Sequence, residues 1–469
     1  MIQTAHGAND GNAGLDTSPR NKKRCVGLML VAMMMAASCS TNAPTASAVA
    51  AEAKPLHVQR TQDADEFCRF VAGNYAYFDV KKTNWPRVCL SLRAQAALAA
   101  DRTAFVSLLE RALAELYDAH AHLSTSTSAS PRLIPTHTDL WVVWRGDNAV
   151  IEAVRADSAA FKAGARAGMT VLEVNDEPIS AAARAREPRF LIEADPAARD
   201  WALQSVLAGR QNQQPVRLKV AHEGQTSTLS FNPDRPQSDA LLTHRRLGPR
   251  GDVGVIRFNI ALGEAALIAA FDAALTALNE ADVQALVLDL RDTPSGGNSS
   301  VARGIMGRLV STEAPYQRHE SISEFRATGV RRVWTESVLP RGEAWRKPVV
   351  VLVGRWTGSM GEGIAVGLHA ARAAPILGSP MARLLGAIED FRLSNSGIGV
   401  RIATEKLFSP DGAPRESFVP CAPLPVAASD AAGAASTIID TLMSIAVNAF
   451  KNGADASIGT SAPTPFVCR

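Results

Sequence analysis

The stretch Pro348-Val349-Val350-Val351-Leu352-Val353-Gly354-Arg355-Trp356-Thr357-Gly358-Ser359-Met360-Gly361-Glu362-Gly363 decides how this chain is read. An apolar run stops abruptly in small residues around one serine, and Ile364-Ala365-Val366-Gly367-Leu368 continues at helical spacing. The pattern predicts a buried strand, a tight turn and a helix. A serine on such a turn sits at a helix N-terminus, where unpaired N–H groups favour developing negative charge. Two readings follow. Ser359 is a nucleophile beside an oxyanion pocket, or it is a helix cap with Glu362 as its capping-box partner.

The chain has 469 residues, enough for two or three domains, with 46% hydrophobic and 20% charged residues and a net charge of +3. That balance is globular and carries no basic excess for nucleic acid. Arg20, Lys22, Lys23 and Arg24 precede an apolar run from Val26 to Ala37 that is too short for a typical membrane span. Residues 1–38 therefore read as a signal peptide. Ala36-Ala37-Ser38-Cys39 resembles a bacterial lipobox, with Ala36 where such boxes usually carry Leu. Ordinary cleavage near Ser47-Ala48-Val49-Ala50 is the competing reading. Either way the expected location is outside the cytoplasm of a bacterium, periplasmic or lipid-anchored to a membrane at Cys39. Cys68, Cys89, Cys421 and Cys468 are an even set in an oxidising compartment, and disulfides are expected within Cys68/Cys89 and Cys421/Cys468. No Cys/His spacing resembles a zinc site, and neither metal nor cofactor is expected.

Outward from Ser359 the chain divides by pattern. Residues 39–56 read as a flexible tether. Residues 57–130 show helical periodicity and end in Asp118-Ala119-His120-Ala121-His122-Leu123. Residues 131–235 are β-rich. Residues 236–455 alternate strands and helices, as an α/β sheet with crossover helices does, and end in a helix over 437–450. The charged stretch 310–347 looks like an insertion, and 456–469 is a tail.

Three further motifs accompany the serine. Asp289-Leu290-Arg291-Asp292-Thr293-Pro294-Ser295-Gly296-Gly297-Asn298 puts a Gly-Gly pair just after a buried strand, where backbone N–H groups can approach a ligand. His120 can take a serine proton near neutral pH. His122 is an alternative base, and an isolated surface histidine is the plainer reading of either. His369 follows Ser359 on its helix and reads as structural. Asp411-Gly412-Ala413-Pro414-Arg415-Glu416 is a turn presenting Glu416, either a participating carboxylate or a solvated charge paired with Arg415.

In this order the motifs resemble the S41 family of serine peptidases, which includes C-terminal processing proteases and the tricorn core protease. The carrying residues are the His120 motif, "D-L-R-x-x-P-x-G-G" at 289–297 and "V-V-V-L-V-x-x-x-T-G-S-M-G-E" at 349–362. The stretch 131–235 resembles a bacterial PDZ domain, through "V-I-x-x-V … S-A-A … A-G … V-L-x-V-N-D". The resemblance implies a crotonase/ClpP-like α/β catalytic core with an N-terminal helical segment and an inserted PDZ-like domain. It implies peptide-bond hydrolysis with Ser359 as nucleophile, His120 as base and Glu416 as a later acidic member. Met360, Gly296 and Gly297 would supply the oxyanion pocket. The partners implied are protein or peptide substrates and peptide termini on the PDZ-like domain. The processing proteases use a lysine in a later "F-G-K-G" segment. Here Leu384 stands in its place and Arg383 stays protonated, so a Ser/Lys dyad at that position is excluded. The missing lysine keeps open a non-catalytic ligand- or peptide-binding protein on the same fold. No G-x-S-x-G elbow is present, because Thr357 holds the first glycine position.

Overall fold

A computed structural model describes residues 55–211, 215–233, 240–248, 250–259, 262–294 and 296–420. The signal segment, Cys39, Cys421, Cys468, the 437–450 helix and the 456–469 tail lie outside these residues. No helix among the described residues is long and apolar enough to cross a membrane.

Two local signals start the helical segment. Asn84 Oδ1 accepts the Arg87 N–H at 3.3 Å with Pro86 in the first turn, and Asp101 Oδ1 accepts the Ala104 N–H at 2.8 Å. Each cap satisfies an N–H that the helix leaves unpaired. They start Trp85–Ala96 and Arg102–Ala114, which follow a first helix, Leu56–Asn74, that has no side-chain cap. Cys68 and Cys89 join the first two by a disulfide across a sequence separation of 21. Closing a loop of that size in the unfolded chain contributes about 3 kcal/mol.

The apolar faces of these helices do not close on themselves. Phe67, Val71, Leu109 and Leu113 share one core with Val400, Ile402 and Ala403 of the strand Gly399–Phe408. That strand belongs to an antiparallel sheet with His122–Leu123, Ala314–Ser321, Arg332–Val338 and Ala387–Arg392. The stretch 310–347 is therefore not an insertion. It supplies two strands and the helix Ile322–Thr328 to this sheet, with Tyr316, Gln317, His319, Glu320 and Val338 buried in the strands.

The central sheet runs in the order Ile376–Gly378, Val349–Val353, Ala285–Asp289, Val253–Phe258, Leu242–Leu247. The first four strands are parallel and the last is antiparallel. Every residue of Ala285–Asp289 and Val349–Val353 is buried, as continuous apolar runs covered on both faces must be. The helices Ala266–Glu280, Ser299–Met306 and Met360–Ala370 pack on it in one hydrophobic core. The fold is thus mixed α/β. Residues 140–231 form a separate sheet around their own core, with Ile151, Leu203, Leu218 and Val220 at its centre.

Candidate active site

The Ala285–Asp289 and Val349–Val353 strands are neighbours, so the turns that leave them meet. Asp292–Thr293 pairs in parallel with Trp356–Thr357. Thr357 Oγ1 donates to Leu290 O at 2.7 Å and accepts the Gly354 N–H at 3.0 Å. The Gly358 N–H donates to Thr293 O at 3.0 Å. A Cβ on Gly358 would lie 2.6 Å from Pro294 O, so only glycine allows this approach.

Ser359 follows at φ 51°, ψ −115° and caps the Met360–Ala370 helix. Positive φ in a non-glycine residue costs about 1–3 kcal/mol and persists only where the surroundings enforce it. The nucleophile reading and the cap reading of Ser359 thus describe one geometry. Glu362 Oε2 accepts the Ser359 N–H at 2.8 Å, the bond a capping box makes.

Gly296 faces the serine, since a Cβ there would stand 3.2 Å from Ser359 Oγ. Gly297 faces the other way, and its Cβ would run into Leu262 O at 2.1 Å. Among the described residues no hydrogen bond takes the N–H of Met360 or of Gly296.

The histidine motif lies in the turn between the Arg102–Ala114 helix and the His122–Leu123 strand, because the helix stops at Ala114 and Tyr117 adopts φ 37°. The His120 N–H donates to Asp118 Oδ1 at 2.8 Å, and Asp118 Oδ2 accepts Tyr75 Oη–H at 2.9 Å. His120 Nδ1 lies 2.7 Å from Leu385 O. A carbonyl only accepts, so Nδ1 carries the proton and Nε2 of the neutral ring is left as acceptor. Burial lowers the His120 pKa to about 4, so the ring is neutral at neutral pH.

His122 goes elsewhere. Its Nδ1 donates to His120 O at 2.9 Å, and its ring lines a cavity of about 1100 Å³ between the helical segment and the 140–231 sheet. His369 packs its ring edge-on against Phe418, 5.2 Å between centroids. Among the described residues no hydrogen bond joins His120 to Ser359.

Glu416 is half-buried and Arg415 is buried. Burial raises the Glu416 pKa, against a hydrogen bond from its own backbone and the charges of Arg415 and Lys406, which lower it. Glu416 Oε2 and Tyr77 Oη are both buried without a hydrogen-bond partner. Arg415 is not the solvated companion of Glu416 that the turn suggested. Its Nη2 donates to Leu384 O at 3.0 Å and lies 4.0 Å from Glu362 Oε2.

Sequence reasoning missed Arg415 and Leu385. A buried arginine in a Gly/Pro turn carries no periodic signal, and a backbone carbonyl has no residue signature at all. Two ion pairs bring the 140–231 sheet onto the same strand ends. Arg155 Nε meets Asp292 Oδ1 at 2.8 Å, and Arg355 Nε meets Glu152 Oε2 at 2.6 Å.

Residues 252–418 match the profile of peptidase family S41. No curated protein matches the chain. Among solved structures, the chain is similar to a photosystem II D1 C-terminal processing protease at 19% identity and TM-score 0.50, covering 78% of this chain and 93% of that one. It is similar to mature CPAF at 15% identity and TM-score 0.54, covering 79% and 93%. The complex of mature CPAF with lactacystin gives 14% identity and TM-score 0.53, covering 79% and 94%. At these identities the likeness is one of fold.

Proposed function

We propose, on the match of residues 252–418 to the profile of peptidase family S41, that this protein is an exported serine endopeptidase with Ser359 as nucleophile and His120 as base. Two anchors carry this reading. Ser359 stands at positive φ facing Gly296, and Leu385 O holds His120 Nδ1 so that Nε2 is free to accept a proton. Nε2 takes the Ser359 Oγ proton as Oγ attacks a peptide carbonyl. The Met360 N–H and a Gly296 or Gly297 N–H receive the oxyanion, where losing one donor costs about 3 kcal/mol. The imidazolium gives its proton to the leaving amine. Water then hydrolyses the acyl-enzyme, with the ring again as base. Base–nucleophile bonds of this kind tighten in the substrate complex. Glu416, whose Oε2 is buried without a hydrogen-bond partner, orients water or substrate.

The 140–231 unit is read as PDZ-like. Leu140–Arg145 is an edge strand of its sheet, a place for a peptide to add. At present Gln204 Nε2 donates to Val142 O there. Cys39 is read as a lipid anchor, and unchanged palmitate incorporation in Cys39→Ala would sink that reading.

A second reading, a binding protein on the same fold, is favoured by Leu384, whose side chain sits against Gly358 where a lysine base would be needed. Covalent labelling with a fluorophosphonate separates the two. Wild type is expected to label, Ser359→Ala not at all, and His120→Ala at least 100-fold more slowly, on the order of a lost general base. Equal labelling of wild type and Ser359→Ala rejects the nucleophile. A fully active His120→Ala moves the base elsewhere, with His122 the first candidate.

A further inference from the structure

The segment 383–386 joins the two halves of the site through its backbone. Glu362 Oε1 accepts the Arg383 N–H at 2.8 Å. Glu362 Oε2 accepts the Leu384 N–H at 3.2 Å and the Ser359 N–H at 2.8 Å. Arg415 Nη2 donates to Leu384 O at 3.0 Å and reaches Gly386 O at 3.4 Å. Between those two carbonyls, Leu385 O is left to His120 Nδ1. A buried carboxyl and a buried guanidinium thus hold two N–H groups and two carbonyls of one short loop. Both charges are too deep to act on substrate, with Glu362 1% and Arg415 3% exposed. Arg383 adopts φ 61°, a conformation that an unclamped arginine would leave.

We propose that Glu362 and Arg415 are positioning residues that clamp residues 383–386, so that the Leu385 carbonyl fixes the tautomer and orientation of His120 relative to the Ser359 turn. One carboxylate holds both the nucleophile's own N–H and the loop that holds the base, so neither side moves without the other. The loop that carries Leu384 in place of a lysine serves the reaction through its carbonyl rather than through a side chain. A buried acid fits this role because it offers several lone pairs to converging N–H donors, which a neutral amide cannot match. Glu362→Gln would set an NH2 group against at least one of those donors.

The inference rests on the Ser359/His120 reading, and the test separates the two. The full chain is labelled with a fluorophosphonate, and both the rate constant and the final stoichiometry are measured. Glu362→Gln is expected to lower the rate constant about 100-fold, the cost of a misplacement near 1 Å, with the final stoichiometry unchanged. Arg415→Met is expected to act in the same direction. A loss of stoichiometry at an unchanged rate constant in both variants means a merely structural role and overturns the proposal, as do wild-type rates in both. Wild-type chain with 15N-labelled histidine supplies a reading that needs no variant. His120 is expected as the Nδ1–H tautomer at neutral pH, and an Nε2–H tautomer overturns the proposal. Wild-type labelling of Ser359→Ala would instead reject the nucleophile.

Discussion

Asp289 and Glu362 stand beside turns that leave neighbouring strands, both almost fully buried, and they meet burial in opposite ways. Burial raises the pKa of either carboxyl. At Asp289 that is outweighed by Arg291, whose Nε and Nη2 lie 2.9 and 2.8 Å away, with Arg257 adding to it, and the pKa ends lowered. At Glu362 the compensation is Arg415, held 4.0 Å off, and then three backbone N–H groups, and the pKa is raised to about 7. A guanidinium fork brings a full charge with its hydrogen bonds, whereas backbone dipoles bring only partial ones. Equal burial therefore yields a fixed ion at one strand end and a titrating group at the other.

That contrast breaks most visibly at Asp289. Asp289→Ala leaves Arg291 without its buried carboxylate, while Arg257 keeps Asp292 at 3.1 Å, and is expected to cost about 3 kcal/mol of stability in urea unfolding, since one partner of a buried pair is removed. A change within 0.5 kcal/mol, roughly the scatter of a surface substitution, would mean that Asp289 is not fixed by its arginines.

The two glycines of the same turn separate folding from chemistry. Gly297→Ala drives a methyl into Leu262 O and is expected to destabilise by about 1–3 kcal/mol, as overpacking does. Gly296→Ala meets only the movable Ser359 Oγ, so it should leave the unfolding midpoint near wild type and slow fluorophosphonate labelling. The reverse order of effects would show that the wrong glycine was assigned to the serine.

The smallest expected effect is a slope with pH. Native Glu362 holds its proton up to about 7, whereas the unfolded residue loses it near 4.5. Between those values the native state binds more protons, so this contribution to stability falls as pH rises. His120 is the opposite case. Its native pKa of about 4 lies below the unfolded 6.5, so its contribution falls as pH drops through that window. Asp289 keeps its contribution above its unfolded value of 3.8 and loses it in stronger acid. Glu362→Gln removes the falling contribution and leaves the His120 rise unopposed, so stability is expected to climb more steeply with pH between about 5 and about 6.5 than in wild type, read from urea midpoints. An unchanged slope would place that titration on another group.

Much of the frame was legible in order of sequence. Val349–Val353 and Ala285–Asp289 are apolar runs that read as buried strands, and helical periodicity marks 57–130. The stretch 310–347 was misread because its charged residues mask an antiparallel strand pair whose partner, Gly399–Phe408, lies far along the chain. The Cys68–Cys89 pairing fits the even cysteine count, and the helices that carry both cysteines bring them within 5.8 Å, Cα to Cα.

By itself the sequence determined a strand, a small-residue turn and a helix around Ser359, a Gly-Gly turn after a second buried strand, and the absence of a lysine at position 384. These follow from local rules, namely apolar periodicity, turn chemistry and the protonation each side chain permits. Only the tertiary structure decided that Ser359 sits at positive φ, that His120 rather than His122 turns toward the 383–386 loop, and that Glu362 holds that loop to the serine. The physical reason is that the decisive partner of His120 is a backbone carbonyl 265 residues away. Every residue has such a carbonyl, so nothing in the order of side chains marks the one that packing brings to the ring.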